Sequence, residues 1–279
     1  MRLSISLSAL FLSLSMTAFS ERVVEQGHFH HVRLNVQDVE ETRTFYQQFL
    51  GATAVNFNNK TPGLFTERSF ILMNKVDNPA MSNLKTSLWH IGWSGVDGPN
   101  EYAWLKSQGV NFYTPLTPLG KNHFMYLFGP DEEVVEIYTG DKHHRFNHVH
   151  ILASDVQKTT DWLKSALALS ETQIRKLPSA FIVTVDNVQI IVSLNSDRLR
   201  PPEQGPELLP TDESTIAHIA FSFRDIQGAY ERVKSSGLAI ESDISVSALH
   251  GLPSFFARAT DGILVEFVQA KPIPDGIWE

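Results

Sequence analysis

Apolar and polar residues follow the same order four times along this chain. Each repeat opens with a short apolar run in which a histidine stands directly before a β-branched residue, and these histidines are His31, His90, His148 and His218. A segment with helical spacing of its apolar residues follows, and then short runs in which apolar and polar residues alternate as they do in strands. The repetition predicts an α+β fold of four βαβββ modules.

Capping and breaking residues mark a helix behind the first strand of each module. In module 1, Asp38 is followed three residues later by Glu41, which is the spacing of a capping box, and Gly51 ends the apolar face. In module 2, Pro99 stands where the helix begins and Gly109 where it ends. We therefore expect one helix in every module.

Polar segments between the modules set the expected domain boundaries. A charged stretch at residues 141–145 follows module 2, so we expect one domain over residues 21–145, from modules 1 and 2. A second domain is expected over residues 146–279, from modules 3 and 4. A loop rich in Pro and Glu, residues 195–214, separates modules 3 and 4, either as a surface connection or as a lid.

The first twenty residues differ from the rest of the chain. After Arg2, residues 3–19 mix Leu, Ile and Phe with Ser and Ala, and Ala18 and Ser20 are small residues where a signal peptidase reads the chain. We expect a signal peptide over residues 1–20 and a secreted or periplasmic protein with no stable membrane anchor after cleavage. The alternative is an uncleaved anchor, because the run is just long enough to span a bilayer.

Composition narrows the classes of partner. The chain carries 31 acidic and 23 basic residues, a formal charge of -8, and it has no long basic run, so we expect a small-molecule partner and no nucleic acid. The 279 residues contain no cysteine, which excludes thiolate ligation of a metal. Any metal is therefore bound by nitrogen and oxygen donors.

A glutamate interrupts an apolar strand in module 2. Glu136 lies within residues 134–138, which are otherwise β-branched or aromatic, and burying an unpaired carboxylate is strongly unfavourable. Histidines inside other apolar runs, His31 and His90, are the cationic or metal-binding partners that the chain offers. Two imidazoles and a carboxylate on three strands predict a divalent-metal site. Glu266 repeats the pattern in module 4.

The modules, and two strand sequences within them, resemble the vicinal oxygen chelate superfamily. The first is Gly-Pro-Asp-x-x-Val-Val-Glu-Ile at residues 129–137, and the second is Asp-Gly-x-x-Val-Glu-Phe at residues 261–267. This superfamily includes glyoxalase I, extradiol dioxygenases, fosfomycin-resistance enzymes and bleomycin-resistance binding proteins. The resemblance extends from about residue 28 to 269 and implies two glyoxalase/dioxygenase-type domains, each built from two paired modules.

The resemblance also implies metal ligands on the first strand of each module and on the last strand of the second module in a pair. Carried over to this sequence, the first set comprises His31, His90 and Glu136. The second set comprises His148, His218 and Glu266. Fe(II) is the favoured metal, with Zn, Mn and Ni as alternatives. Either both sets bind metal or one is a relic, and each histidine taken singly could instead be an ordinary core residue.

Candidate catalytic residues flank these ligands. Tyr126 lies ten residues before Glu136, where extradiol dioxygenases have a tyrosine that hydrogen-bonds the substrate. His123 in the first half and His250 in the second are the candidate bases. Neither half matches the dioxygenase pattern completely. In the first half the pattern has its histidine several residues upstream of His123, and in the second half Phe256 replaces the tyrosine.

Two further residues are candidate substrate contacts. Arg33 follows His31 by two residues and His150 follows His148 by two, so each points to the same side of its strand as a predicted ligand. Arg33 could pair with an anionic substrate group, or it could reach solvent at the strand end. His150 is expected to line the core or the cavity.

Three functions follow from the resemblance. The leading hypothesis is a dioxygenase-like oxidoreductase acting on a small, catechol-type substrate with vicinal oxygens. The first alternative is a glyoxalase-like lyase or isomerase, against which residues 70–74 offer no acid as a fourth ligand. The second alternative is a non-catalytic protein that binds a drug or metabolite. The sequence leaves open whether the protein is a monomer or a homodimer.

Overall fold

The computed structural model describes residues 24–78, 82–196 and 207–273. The expected signal peptide over residues 1–20 lies outside the described residues, as does the part of the Pro-rich loop at 197–206. Within the described part, no helix has the length and apolar character needed to cross a membrane.

The predicted βαβββ modules are confirmed. Module 1 comprises β1 (His28–Val36), α1 (Val39–Leu50), β2 (Thr53–Phe57), β3 (Thr61–Phe65) and β4 (Phe70–Lys75). Module 2 comprises β5 (Leu88–Gly95), α2 (Gly98–Ser107), β6 (Phe112–Leu119), β7 (Asn122–Phe128) and β8 (Val134–Thr139).

The second half repeats this order with one additional short strand. Module 3 comprises β9 (Arg145–Ala153), α3 (Val156–Leu167), β10 (Ile174–Lys176), β11 (Ala180–Val185) and β12 (Val188–Leu194). Module 4 comprises β13 (Ile216–Phe223), α4 (Ile226–Ser235), β14 (Ala239–Ile240), β15 (Ser245–Val246), β16 (Pro253–Arg258) and β17 (Leu264–Gln269).

An aspartate caps the beginning of each helix. The Asp38 carboxylate accepts the backbone N–H groups of Glu40 and Glu41 at the start of α1, which supports the predicted helix start, and three other aspartates cap in the same way: Asp97, Asp155 and Asp225. Gly51 ends α1 with a φ of 68°, a left-handed conformation that glycine adopts without strain. These caps fix where each helix begins behind its first strand.

The modules assemble into two sheets, and the same strand order occurs in both. In sheet 1 the order is β14-β16-β17-β13-β1-β4-β3-β2, with β15 paired to β16. In sheet 2 the order is β10-β11-β12-β9-β5-β8-β7-β6. The first strands of two modules run antiparallel at the centre of each sheet, and each lies parallel to the last strand of its own module.

The expected pairing of module 1 with 2 and of module 3 with 4 is corrected by these sheets. Strand β1 hydrogen-bonds to β13, so module 1 pairs with module 4, and β5 hydrogen-bonds to β9, so module 2 pairs with module 3. All four first strands carry the same apolar pattern with a histidine, and this pattern does not determine which two strands meet. The proposed boundary at residue 145 stays a prediction.

Strand alternation gives the two faces of each sheet different roles. On β1, Val32 and Leu34 are fully buried in the apolar core, whereas His31 and Arg33 point to the opposite face. The same alternation recurs on the other central strands. One face of each sheet therefore packs in the core, and the other face carries the polar residues.

Aromatic side chains join the two sheets through one core. The rings of Phe29 on β1 and Phe146 on β9 are 5.8 Å apart, and Tyr46 on α1 lies 5.5 Å from Trp93 on β5. All four are buried. Burial of such large rings supplies much of the apolar stabilisation of a fold, so module 1 is attached to module 2 by packing even though their first strands belong to different sheets.

Candidate metal centres

Three side chains of sheet 2 converge on the face opposite the core, at a cluster that we call site B. His90 and Glu136 come from β5 and β8 of module 2, and His148 comes from β9 of module 3. Glu136 Oε2 lies 2.9 Å from His90 Nε2 and 3.0 Å from His148 Nε2, and the two imidazole nitrogens are 3.1 Å apart. All three residues are buried.

The spacing of these atoms fits a shared cation. Two ligand atoms at right angles around a cation, each about 2.1 Å from it, lie about 3.0 Å apart. His148 Nδ1 lies 2.7 Å from the amide oxygen of Asn147, which can only accept, so the Nδ1–H donates and Nε2 keeps its lone pair. This lone pair faces the Glu136 carboxylate. The imidazole nitrogen and the carboxylate oxygen are both acceptors, so a proton or a metal ion is required beside them.

A second cluster, site A, occupies the corresponding position in sheet 1. His31 comes from β1 of module 1, and His218 and Glu266 come from β13 and β17 of module 4. Glu266 Oε2 lies 3.3 Å from the Nε2 atoms of both histidines. In the described part of the chain the buried His31 Nε2 has no hydrogen-bond partner. A nitrogen that is buried beside a carboxylate without a hydrogen bond suits a metal ligand.

The expected grouping of ligands by halves of the chain is wrong. His31 does not join His90 and Glu136, because β1 lies in the other sheet, and His148 takes its place in site B. His31 correspondingly replaces His148 beside His218 and Glu266 in site A. The pairs that share a module stay together as expected, and only the two histidines from the other modules exchange places.

Electrostatics keeps both clusters in the protonation state that binds metal. Burial lowers the pKa of His31, His90 and His218 below the ordinary value, so these imidazoles are neutral. Burial opposes ionisation of Glu136 and Glu266, but hydrogen bonds with the histidines outweigh it and lower the pKa of both carboxyl groups. Neutral imidazoles and an ionised carboxylate are the forms that coordinate a cation, and either cluster could hold a divalent metal.

Sequence reasoning missed a glycine that makes room for site B. Gly92 lies opposite His148 in the β5–β9 ladder, and a Cβ atom at this position would be 1.9 Å from His148 Cε1. Site A has Ala220 at the equivalent place, opposite His31. The signal in the sequence is the spacing, since both small residues follow a ligand histidine by two positions.

His250 lies in site A, but its bonds indicate a supporting role. The backbone N–H of Leu252 donates to His250 Nδ1 at 3.2 Å, so the ring proton is on Nε2, which donates to Glu266 Oε1 at 2.9 Å. His250 therefore orients the carboxylate. Sequence reasoning missed His30, whose Nδ1 lies 2.8 Å from Nδ1 of His31. Such outer contacts fix the orientation of ligating imidazoles.

Of the two predicted catalytic residues in module 2, the structure brings one to site B. Tyr126 lies opposite Glu136 in the β7–β8 ladder, with its ring 5.1 Å from that of His90. Burial, with a further contribution from Glu136, raises the pKa of Tyr126, so its hydroxyl stays protonated. The prediction that His123 is a base at this site is wrong. His123 lies an odd number of residues from Tyr126 on β7 and points to the other face, against Gly98 of α2.

The two predicted substrate contacts lie beside the sites. Arg33 is opposite His218 in the β1–β13 ladder and is 2% exposed, so the alternative of an arginine reaching solvent is wrong. Burial lowers the pKa of Arg33 to about 10, with Glu266 acting in the opposite direction, which leaves it charged at neutral pH. His150 lies opposite His90, and its Nε2 is 2.8 Å from Ser193 Oγ.

A cavity of about 650 Å³ lies outside both sites. It is lined by residues of α1, including Phe45 and Phe49, and by residues 108–111 and 128–130. It contains no histidine, and its carboxylates stand at the beginning of α1, where Asp38 caps the helix. The residues suited to metal chemistry are in sites A and B.

Comparisons with known proteins agree with the architecture. A family model described as the Glyoxalase/Bleomycin resistance protein/Dioxygenase superfamily matches the chain twice, at residues 28–137 and 145–267. No curated protein matches it. The structure is similar to that of glyoxalase I from Zea mays, with a TM-score of 0.67, 14% identity, and coverage of 87% of this chain and 92% of that one.

A proposed dioxygenase from Bacillus subtilis subsp. subtilis strain 168 has a similar fold. Its TM-score is 0.60, with 14% identity, and the match covers 90% of this chain and 87% of that one. At this identity the two structures indicate a shared fold, and both matches extend over most of the chain.

Proposed function

Because this chain belongs to the Glyoxalase/Bleomycin resistance protein/Dioxygenase superfamily, we propose that it is a metalloenzyme with two sites of two histidines and one glutamate. The activity we propose is that of a dioxygenase-like oxidoreductase on a small catechol-type substrate. The observation that carries the proposal is the convergence of His90, Glu136 and His148, whose ligand atoms lie within 3.1 Å of one another. Two imidazoles and a carboxylate are the ligand set of non-haem Fe(II) oxygenases, and Fe(II) is the metal we propose.

The residues around site B support this proposal. A bound Fe(II) would supply coordination positions for two vicinal substrate oxygens and for O₂. The protonated hydroxyl of Tyr126 would donate a hydrogen bond to a substrate oxygen beside His90. In place of His123, His150 is the candidate acceptor of the substrate proton, because its ring lies 4.7 Å from that of His90 on the same face of the sheet.

The test is oxygen uptake by the iron-loaded protein. The protein is mixed anaerobically with each member of a panel of catechols, air is admitted, and oxygen consumption and ring-cleavage products are followed. We expect uptake with at least one catechol and its loss in His90→Ala. The matched control is His143→Ala, an exposed histidine outside both sites. Iron bound at full occupancy with no uptake across the panel would refute the dioxygenase activity.

A glyoxalase-like isomerase or lyase is the second candidate, at site A. His250 adds a fourth polar group there, at 2.9 Å from Glu266, which suits a metal that polarises a substrate oxygen without using O₂. Conversion of a hemithioacetal by the nickel- or zinc-loaded protein, absent in His218→Ala, would support this activity.

If ligand binding were tight and unchanged in both His90→Ala and His218→Ala, a non-catalytic binding protein would replace both enzyme proposals.

A further inference from the structure

The two sites differ in charge at one equivalent position. In sheet 1, Arg33 lies opposite His218 across the central strand pair, and in sheet 2, His150 lies opposite His90. Each of these residues follows the first-strand ligand of its site by two positions, so it points to the same face as that ligand. Site A thus has a guanidinium where site B has an imidazole.

Arg33 has no direct partner in the described part of the chain. It is 2% exposed, its buried Nη2 donates no hydrogen bond, and no carboxylate of the described residues forms an ion pair with it. Glu266 is the acid that acts on it, but this carboxylate is already contacted by His31, His218 and His250. A buried guanidinium is normally paired with an anion, so site A lacks one.

His150 differs from Arg33 in this respect. Its Nε2 forms a hydrogen bond of 2.8 Å with Ser193 Oγ, so its polar requirement is met within the protein. With a divalent cation bound in both sites, site A would carry one more positive charge than site B, because the histidines are neutral and each site has one glutamate. A negatively charged ligand is therefore attracted more strongly to site A than to site B.

Site A is also the more enclosed of the two. The side chain of Glu266 is 2% exposed, whereas that of Glu136 is 11% exposed. His31 and Arg33 of site A are buried as well. This enclosure favours a small ligand over a large aromatic one.

We propose that site A selects a small carboxylate with a second oxygen donor on the adjacent carbon, a 2-hydroxy or 2-oxo acid, and that Arg33 pairs with its carboxylate. Site B, with His150 at the same position, favours the anion less, because the metal ion alone supplies the positive charge there. The two sites therefore differ in their selectivity for ligand charge. This assignment rests on the proposed metal binding and names the ligand class of one of its sites.

Lactate and lactamide test the assignment, because they have the same shape and differ by one negative charge. Site A is examined alone in the zinc-loaded His90→Ala variant and site B alone in His218→Ala, by titration calorimetry. We expect the ratio of lactate affinity to lactamide affinity to be about tenfold or more higher in site A than in site B, as an additional charge-assisted pair would give. In the His90→Ala background, Arg33→Gln should lower this ratio to that of site B, and Arg33→Lys should retain part of the difference.

The control removes a different positive charge. Arg175 is exposed on β10, and Arg175→Gln should leave the preference of site A unchanged. Equal ratios of lactate to lactamide affinity in the His90→Ala and His218→Ala proteins, or a ratio in site A that Arg33→Gln leaves unchanged, overturns the assignment. If Arg33→Gln fails to fold, the comparison between the His90→Ala and His218→Ala proteins tests the assignment by itself.

The zinc content of each protein is measured first. No bound zinc refutes the proposed function, whereas bound zinc without the preference of site A for lactate refutes only the anion selectivity.

Discussion

His31 Nε2 lies 3.3 Å from Glu266 Oε2, although one residue is in the first strand of the chain and the other is in the last. Site A therefore forms only when the first and fourth modules have come together. Site B is assembled from modules 2 and 3, which follow one another directly. The two clusters have equivalent geometry but different chain connectivity.

This grouping predicts different losses of metal in two double variants. His90→Ala with His148→Ala removes two ligands of site B, so one metal ion per chain should remain. His31→Ala with His90→Ala removes one ligand from each site, so both ions should be lost or weakly held, since each site depends on three protein ligands. Elemental analysis after dialysis measures the result. Retention of one ion by the second variant would contradict the grouping.

Gly92→Ala should disable site B without replacing a ligand. The added Cβ would overlap the ring of His148 at 1.9 Å, so the imidazole must move away from Glu136. We expect metal affinity at this site to fall by about 10-fold to 100-fold, as when ligand orientation is disturbed. Metal titration of the His218→Ala protein with and without Gly92→Ala measures this. The control is Ala220→Gly at the equivalent place in site A, which should leave metal binding there intact.

Glu133 should make stability depend on pH. Burial raises the pKa of Glu133 to about 7, against an opposing hydrogen bond of 2.8 Å from the Tyr46 hydroxyl. Because the folded-state pKa lies above the unfolded value, the folded chain binds more protons, and stability falls as pH rises from about 4.5 to about 7. Glu133→Gln should remove this loss, which is on the order of 3 kcal/mol.

Urea unfolding of the two proteins at pH 5 and pH 8 checks this prediction. The stability of Glu133→Gln relative to the unmodified chain should increase between the two pH values. Glu132→Gln, at an exposed neighbouring position, is the control and should show no comparable change. An identical pH dependence in the Glu133→Gln and unmodified proteins would rule out protonation of Glu133 as its source.

Export stays a proposal that is supported by the first twenty residues of the sequence. We expect the mature protein to begin at Glu21, after cleavage behind Ser20, because Ala18 and Ser20 are the small residues that a signal peptidase requires. Intact mass and N-terminal sequencing of protein from the exported fraction measure this. Ala18→Arg should block the cleavage. A full-length chain retained in the membrane fraction would favour the uncleaved anchor.

The sequence predicted the modules and the ligand residues because these depend on local patterns. Glu136 and Glu266 each interrupt an apolar strand, and this anomaly is visible without a structure. The partner of each first strand depends on contacts between distant segments, and four similar strands give no local signal for it. The orientation of His123 was missed because a shift of one residue along a strand reverses the face of a side chain.

The strand order also determines how the chain tolerates shortening. Residues 88–194 contain every strand of sheet 2, while sheet 1 is divided between the segments that precede and follow them. The modules are thus nested, with the middle pair enclosed in sequence by the outer pair. Truncation from either end of the globular region dismantles sheet 1 first, and a fragment that stops at residue 145 contains parts of both metal clusters and completes neither.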